Sequence, residues 1–192
     1  MKTEKTDRRV KLTKQLIKES LVELMQEQPI SRISVKMLCE AADINRSTFY
    51  AHYTDTYDLL RQIQCDVISE ISEYISQSAF SEQSQLTVQA MSHILEYAKE
   101  NSKLLKVLLS ENGDFNFQKD IMLLAQQKTI NELKTMENLD KRISEYLQLF
   151  TITGALSVME KWLKDGMQES TQEMAQMCST LLYNGLSGYF IP

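Results

Sequence analysis

Apolar residues recur at steps of three and four along the first part of the chain, which is the period of an amphipathic helix. Over residues 11–28 the face that repeats in this way consists of Ile17, Leu21, Leu24 and Met25. Pro29 follows, and proline both lacks an amide proton and disfavours helical geometry in the residue before it. The pattern predicts a first helix that ends just before Pro29.

Two short helical segments come next, over about residues 35–42 and 46–52. Ser34 and Asn45 stand at the starts of these segments, and both residue types can accept hydrogen bonds from the free amides of a helix N-terminus. In a helix-turn-helix the first of two such helices crosses the DNA backbone while the second enters the major groove. The spacing therefore predicts a helix-turn-helix.

A long fourth helix and five further amphipathic segments complete the pattern. The apolar face of the fourth helix consists of Leu60, Ile63, Val67, Ile71 and Ile75. The later segments cover about residues 86–100, 103–110, 116–136, 141–165 and 170–189. Two prolines and five glycines are too few for the turns of a sandwich or barrel. We predict an all-α fold of about nine helices, with a three-helix head over residues 1–60 and a helical bundle over residues 61–192.

Motif content argues against an enzyme, a metal protein and a membrane protein. The three cysteines are an odd number without a C-x-x-C pair, which predicts no disulfide framework, no zinc site and a reducing compartment. A glycine-rich phosphate loop and a G-x-S-x-G motif are both missing from the sequence. No apolar stretch reaches the length of about 18 residues that a membrane-spanning helix needs. We expect a cytoplasmic protein with no catalytic residues, metal or cofactor.

Charge is distributed unevenly along the chain. Residues 1–62 hold 11 Lys+Arg against 9 Asp+Glu, a balance of +2, and the rest of the chain has a balance of −7. A basic head on an acidic body is expected when one end of a protein faces phosphate. By charge alone, a solvated lysine-rich terminus explains the asymmetry equally well.

The block SVKMLCEAADINRSTFYAHYTDTYDLL, residues 34–60, is the most informative part of the sequence. Its pattern positions are Asn45, Thr48, Phe49, Tyr50, His52, Tyr53, Asp55 and Leu59. On these residues the block resembles the helix-turn-helix region of the TetR family of transcriptional regulators. With the preceding helix and the basic terminus, the resemblance covers about the first third of the chain. Beyond that point only the length, the helicity and an apolar pair of terminal helices are similar.

Two positions depart from the family pattern. Asp43 stands in the turn where the family usually has glycine, and aspartate tolerates a left-handed backbone at a cost of about 1 kcal/mol. Thr56 replaces a lysine at the start of the fourth helix, which removes a positive charge from a phosphate contact. We therefore expect DNA affinity to be lower, or less dependent on salt, than is usual in the family.

The resemblance and side-chain chemistry together indicate a DNA-binding set. Arg46 and Ser47 begin the third helix and can reach base edges, where the arginine fork suits guanine O6 and N7. In the basic terminus, Arg8, Arg9 and Lys11 either reach a minor groove or add unspecific attraction. Any one of these side chains taken alone is better explained by a solvated or core position, and their joint spacing is what favours DNA. The predicted set is Ser34, Lys36, Asn45, Arg46, Ser47, Thr48, Tyr50, His52 and Thr56.

The resemblance also implies an effector pocket and a dimer interface in the C-terminal helices. Side chains that could line the pocket are Met91, Tyr97, Phe115, Phe117, Met122, Phe150 and Trp162. The set contains no arginine or histidine to hold an anion, so we expect a small, largely apolar effector. For any single member an ordinary place in the helical core is the commoner alternative.

Two notably apolar helices end the chain, and such helices commonly bury a surplus face against a second copy. The predicted interface consists of Leu156, Met159, Leu163, Met174, Met177, Cys178, Leu181 and Leu182. The alternative is burial of these residues within one chain. A homodimer is favoured because a palindromic operator on double-stranded DNA requires a two-fold protein.

Taken together, these features lead us to expect a TetR-type regulator that acts as a repressor. It should bind a palindromic operator under the control of a small effector. The long fourth helix, which starts in the head and continues beyond it, is the expected lever. Two alternatives stay open, namely a regulator or adaptor that acts through a protein co-regulator, and an activator.

Overall fold

All regular structure in the described part of the chain is helical. The computed structural model describes residues 2–77, 84–133 and 141–184, and these ranges contain nine α-helices and one 3-10 turn. The prediction of an all-α fold with about nine helices is confirmed. The helices are α1 (Lys2–Glu27), α2 (Val35–Ala41), α3 (Arg46–Tyr50), α4 (Thr56–Gln77), α5 (Ser84–Glu100), α6 (Ser102–Leu108), α7 (Phe115–Leu133), α8 (Lys141–Lys164) and α9 (Thr171–Asn184), with the 3-10 turn at Ile30–Arg32.

The first helix is longer than its apolar pattern indicated. Helix α1 begins at Lys2, whereas the apolar repeat starts after residue 10. Its end agrees with the sequence, since the helix stops at Glu27 and Pro29 leads into the 3-10 turn. The early start makes the basic terminus part of a helix.

The starts of α2 and α3 differ in how they are capped. Ser34 accepts a hydrogen bond at its Oγ from the backbone N of Met37 over 3.2 Å, which is an N-cap bond. Asn45 occupies the corresponding position of α3 in an extended conformation, but its side chain makes no cap bond. The prediction that the Asn45 side chain caps α3 is therefore wrong, and this exposed amide is not used by the helix.

The chain divides into two compact units. The first contains Met1–Val67 together with Val107–Phe117, and the second contains Ile68–Lys106 and Gln118–Pro192. Helix α4 begins in the first unit and continues into the second. The division lies at Val67 rather than at residue 60, and the sequence pattern did not indicate that the segment 107–117 joins the first unit.

The first unit is organised around the helix-turn-helix. Helix α2 packs against both α1 and α3. Among the fully buried side chains of this unit are Ile17, Leu21, Met25, Leu38, Phe49, Leu59, Val67, Leu108 and Phe117. Because these residues come from α1 to α4 and from the segment 107–117, one apolar core holds the motif in place.

The second unit is a bundle in which α5 packs against α8 and α9. Its buried side chains include Leu95 on α5, Leu163 on α8 and Ala175 on α9. The start of α9 has a complete capping box, because Glu173 N donates to Ser170 Oγ while the Glu173 carboxylate accepts from Ser170 N at 2.8 Å. No helix in the described ranges combines the length and apolar character needed to cross a membrane.

Candidate functional site

The turn between α2 and α3 is a closed C-terminal motif built on Asp43. This residue has φ of 50°, in the left-handed region that favours glycine. Ile44 N donates to Cys39 O over 3.0 Å and Asp43 N donates to Glu40 O over 3.4 Å, which together form a Schellman motif. The helix-turn-helix therefore keeps its turn with aspartate in place of glycine, at the cost of a strained conformation.

Helix α3 separates a buried side from an exposed one. Phe49 is fully buried and contacts the rings of Tyr50, at 5.5 Å between centroids, and Tyr53, at 5.7 Å. Tyr53 is itself buried, and its contact with Phe49 helps to hold the end of α3 against the core. Tyr50 is 57% exposed and meets Phe49 edge to face, which fixes its ring while leaving its hydroxyl free to bind a ligand outside.

The start of α3 presents polar groups to solvent. Asn45, Arg46 and Ser47 are exposed, and Thr48 and His52 are half-buried. Arg46 takes part in none of the ion pairs found among the described residues. Its guanidinium keeps all five donors for an external acceptor, which is the chemistry needed to read a guanine edge.

At the start of α2, two members of the predicted set already have partners within the chain. Ser34 uses its Oγ as the cap acceptor, but its hydroxyl proton can still be donated outward. Lys36 lies 3.8 Å from Glu40 one turn later, and both side chains are 65% exposed. An exposed pair of this kind is weak, so Lys36 can exchange Glu40 for a phosphate.

The side chain of Thr56 faces the protein interior. It is 5% exposed, and its hydroxyl donates to the backbone O of Ile33 over 3.4 Å. The prediction that the Thr56 side chain belongs to the DNA-binding set is wrong, because that hydroxyl satisfies a buried carbonyl. A threonine suits either position, so the sequence alone held no sign of this role.

Two carboxylates occupy the start of α4. Asp58 N donates to Asp55 Oδ1 over 2.7 Å, and Thr54 N donates to Asp58 Oδ2 over 2.9 Å. The bond from Thr54 N, followed by the bond from Gln62, holds the pKa of Asp58 below its usual range. Sequence reasoning missed Asp58, and the pair makes this helix start unfavourable for phosphate.

The basic terminus is helical rather than extended. Arg8, Arg9 and Lys11 lie on α1 with exposed side chains. A helix is about 10–12 Å wide with its side chains, whereas the minor groove of B-DNA is about 6 Å wide. A helix is therefore too wide to enter a minor groove as an extended arm does.

The seven residues predicted to line an effector pocket are divided between the two units. Phe117 is buried in the first unit, whereas Tyr97 and Trp162 are buried in the second. Phe150 is 81% exposed on α8, so no pocket within this chain encloses it. Met91 and Met122 are half-buried, and the side chain of Phe115 lies outside the described residues.

Two of these aromatic residues have structural partners. Trp162 Nε1 donates to Glu169 O over 3.0 Å, which ties the end of α8 to the loop before α9. Tyr97 packs against Tyr74 at 6.0 Å between ring centroids, and Tyr74 packs against His93 at 6.3 Å. Trp162 therefore has the ordinary core role, while sequence reasoning missed the aromatic cluster around Tyr74.

The predicted dimer residues divide in a similar way. Leu163, Met174 and Cys178 are buried within the chain, so their assignment to an interface with a second copy is wrong. The same burial raises the pKa of the Cys178 thiol. The half-buried members of the set are Leu156, Met159, Met177 and Leu181, while the side chain of Leu182 lies outside the described residues.

An uncovered apolar face lies on the first half of α8. Ile143, Tyr146, Leu147 and Phe150 recur at helical spacing, and each is at least 49% exposed. Gly154 continues this face one turn later, and a Cβ added there would meet nothing within 4 Å. We name Ile143, Tyr146, Leu147, Phe150 and Gly154 the α8 apolar face. The helical spacing of these residues is visible in the sequence. Spacing alone does not tell which side of α8 packs against the rest of the chain and which side stays exposed.

Comparison with known proteins places both parts of the chain. Residues 17–63 match the family described as bacterial regulatory proteins, tetR family. Residues 87–184, slightly more than half of the chain, match a transcriptional regulator C-terminal region of the TetR type. YxbF of Bacillus subtilis (strain 168), an uncharacterized HTH-type transcriptional regulator, is 23% identical over 112 residues. That match covers 55% of this chain and 28% of YxbF, so the chain spans about a quarter of that relative.

Solved structures share the fold over nearly the whole chain. A TetR transcriptional regulator from Streptococcus agalactiae 2603V is 20% identical with a TM-score of 0.66, covering 94% of this chain and 98% of that one. The regulator FadR from Bacillus subtilis, solved in complex with stearoyl-CoA, is 12% identical with a TM-score of 0.66. It covers 89% of this chain and 98% of its own. At these identities the likeness is one of fold.

Proposed function

Because the chain belongs to the TetR family of bacterial DNA-binding transcriptional regulators, we propose that it is a cytoplasmic repressor that binds a palindromic operator as a homodimer. We propose further that a small, largely apolar effector controls its affinity for the operator. The main observation in support of this DNA-binding surface is that α3 has one buried side and one exposed side. Phe49 anchors one side of this short helix in the core, while Arg46 and Ser47 face solvent.

We assign the recognition of bases to the exposed start of α3, which we call the reading helix. Arg46 can donate two parallel hydrogen bonds to guanine O6 and N7, and the exposed amide of Asn45 can pair with adenine N6 and N7. Ser47 and Thr48 can donate to base edges or to phosphate.

Phosphate contacts surround this reading helix. Ser34 and Lys36 at the start of α2, and Tyr50 and His52 at the end of α3, can bind the backbone on either side. The start of α4 is left out of this set because of Asp55 and Asp58. Fewer phosphate contacts make operator affinity less dependent on salt.

The second copy is proposed to pack on the α8 apolar face. Large exposed side chains at Tyr146 and Phe150 give two related chains an apolar surface to bury. Gly154 lets the two helices approach closely, since no atom occupies the space beside it. A two-fold pair presents two copies of α3, which matches two half-sites of a palindrome.

Effector control is proposed to act through α4, which runs from the first unit into the second. An effector with a higher affinity for one arrangement of α4 must shift DNA affinity by that difference, typically about 1–3 kcal/mol. FadR, which has a similar fold, was solved with stearoyl-CoA, and this supports a ligand with a long apolar part.

Selection of random duplexes by the purified protein tests the proposal. We expect an enriched palindrome, and Arg46→Ala should relax selection at one position per half-site and weaken binding by about 1–3 kcal/mol. Lys103→Ala removes a comparable exposed charge on α6 and serves as the control. An unselective pool that binds the Arg46→Ala variant as well as the wild type would show that α3 does not read DNA.

The direction of regulation needs a second readout. Deletion of the gene should raise transcription from the promoter that carries the selected operator. Reduced transcription would identify an activator and would leave the DNA-binding surface unaffected.

A further inference from the structure

The buried face of α4 contains one polar side chain that the fold does not satisfy. Leu60, Ile63 and Val67 are buried on this face, and Gln64 lies among them with 8% of its surface exposed. Its Nε2 has no hydrogen-bond partner, and among the described residues no other buried side-chain nitrogen or oxygen is left in this condition. The buried hydroxyl of Thr56, on the same helix, does have a partner in Ile33 O.

An unpaired buried amide destabilises the free protein. Moving the N–H groups of Gln64 out of water costs about as much as losing a hydrogen bond, and no partner among the described residues offsets this loss. A methionine or leucine would fill similar space without the cost. An acceptor that reaches Nε2 from outside the chain would offset this cost.

The chemistry of that acceptor follows from the surroundings of Gln64. The buried residues nearest to it along α4, Leu60, Ile63 and Val67, are aliphatic. The buried polar residues of the described chain are two serines, one threonine and Gln64, with no lysine or arginine among them. A carboxylate or phosphate placed there would lose its hydration without gaining a cation. An uncharged carbonyl oxygen on an apolar molecule can accept from the amide without that loss.

We infer that Gln64 is the polar anchor of the effector site, and that it donates from Nε2 to an uncharged carbonyl oxygen of a mainly apolar ligand. This inference rests on the proposed function, which it extends by naming the ligand class and one contact. Because Gln64 is buried, a ligand that reaches Nε2 must displace side chains that now cover α4. Binding is thereby coupled to the helix that continues into the second unit.

The first test compares the stability of two variants without ligand. Gln64→Met keeps the length of the side chain and removes its donors, so the midpoint of thermal unfolding should rise by about 2–4 °C. Gln62→Met changes an exposed glutamine on the same helix, and the bond it removes, from Gln62 Nε2 to Asp58 Oδ1 at 3.3 Å, is itself exposed. The midpoint should therefore stay within about 1–2 °C of the wild type. A midpoint for Gln64→Met below that of the wild type would mean that a resident partner, such as a buried water, satisfies the amide. That result overturns the inference.

The second test uses three uncharged probes, namely 2-decanone, ethyl octanoate and N-methyloctanamide, with decanoate as the charged comparison. At least one uncharged probe should raise the unfolding midpoint of the wild type and weaken its binding to the selected operator. The apparent Kd of that probe should be about tenfold higher for Gln64→Met, which corresponds to the loss of one hydrogen bond to a buried group. The Gln62→Met variant should respond as the wild type does.

Failure of this inference can be distinguished from failure of the proposed function. If the wild type selects an operator but no uncharged probe binds, or if Gln64→Met binds the probe equally well, only the role of Gln64 is overturned. Preference for decanoate over all three uncharged probes also overturns the ligand class. If the wild type selects no operator, the proposed DNA-binding function fails whatever the probes do.

Discussion

Asn112 donates a hydrogen bond from its Nδ2 to the backbone O of Met25 over 3.2 Å, across 87 positions of the chain. Met25 is in the last turn of α1, where backbone carbonyls lack partners within the helix. The segment 107–117 thereby completes the end of a helix in the first unit. The backbone of this segment is also tight, because a Cβ added at Gly113 would lie 2.3 Å from Leu108 O.

Replacing Asn112 with alanine should lower the free energy of unfolding by about 1 kcal/mol, because the Met25 carbonyl then loses the hydrogen bond that Asn112 donates. Urea denaturation followed by circular dichroism measures the change. Asn116→Ala is the matched control, since that exposed amide bonds only to Asp114 two residues away. Equal losses in the two variants would mean that the bond to α1 contributes nothing of its own.

Asp43→Gly should raise both stability and DNA affinity. Glycine adopts φ of 50° without strain, so the free energy of unfolding should rise by about 0.5–1 kcal/mol. The change also removes a negative charge next to the reading helix. At low salt this should strengthen operator binding by roughly two- to threefold, since an exposed charge pair is worth about 0.5 kcal/mol.

Asp43→Asn separates the two effects, because asparagine keeps the strained conformation and lacks the charge. Its operator affinity should match that of Asp43→Gly while its stability stays near the wild-type value. If the asparagine variant binds operator no better than the wild type, charge at this position has no effect on DNA affinity.

The pH dependence of stability should reflect the cap at the start of α4. The folded-state pKa of Asp58 lies below its ordinary value of 3.8. Such a carboxylate contributes stability that is fully present above the ordinary value and is lost as pH falls through the lower, folded value. Glu173 at the start of α9 has its pKa lowered mainly by the hydrogen bond from the Ser170 hydroxyl, so its contribution has the same sign.

Urea denaturation at a series of acidic pH values tests this dependence with Asp58→Asn. The variant should be less stable than the wild type at neutral pH, and the difference should shrink as pH falls below 3.8. A difference that stays constant down to the lowest pH would show that the carboxylate charge of Asp58 does not stabilise the cap.

Phe150→Ser should break the proposed homodimer without unfolding the chain. The side chain is 81% exposed in the single chain, so the substitution creates no cavity in the core. In a two-fold dimer both copies lose a buried aromatic ring, which should raise the dimer Kd by about 100-fold or more. Sedimentation velocity over a range of concentrations measures this change.

Leu123→Ser on α7 is the matched control, since Leu123 is another large exposed apolar residue of the second unit. It should leave the dimer Kd unchanged. A wild-type protein that sediments as a monomer, or a Phe150→Ser variant that stays dimeric, would contradict the assignment of the α8 apolar face.

Local patterns were sufficient for the elements and for the motif. The apolar repeat of α1, the stop before Pro29 and the Ser34 cap follow from properties of single residues and their near neighbours, and each is present in the structure. The position of Arg46 and Ser47 at the exposed start of α3 could be predicted for the same reason. Aspartate at position 43 could be expected to tolerate the turn because its backbone preference is intrinsic.

The roles of other residues depend on which distant segments of the chain pack against them. The sequence by itself determined the all-α class, the helix-turn-helix and the residues that begin its reading helix, because helical period and capping act within a few positions. Tertiary structure alone decided that Thr56 turns to Ile33, that Asn112 reaches Met25, that Leu163 is covered while Phe150 is not, and that Gln64 is buried without a partner. The physical reason is that burial and hydrogen bonding between distant segments are set by packing, which the periodicity of one helix does not encode.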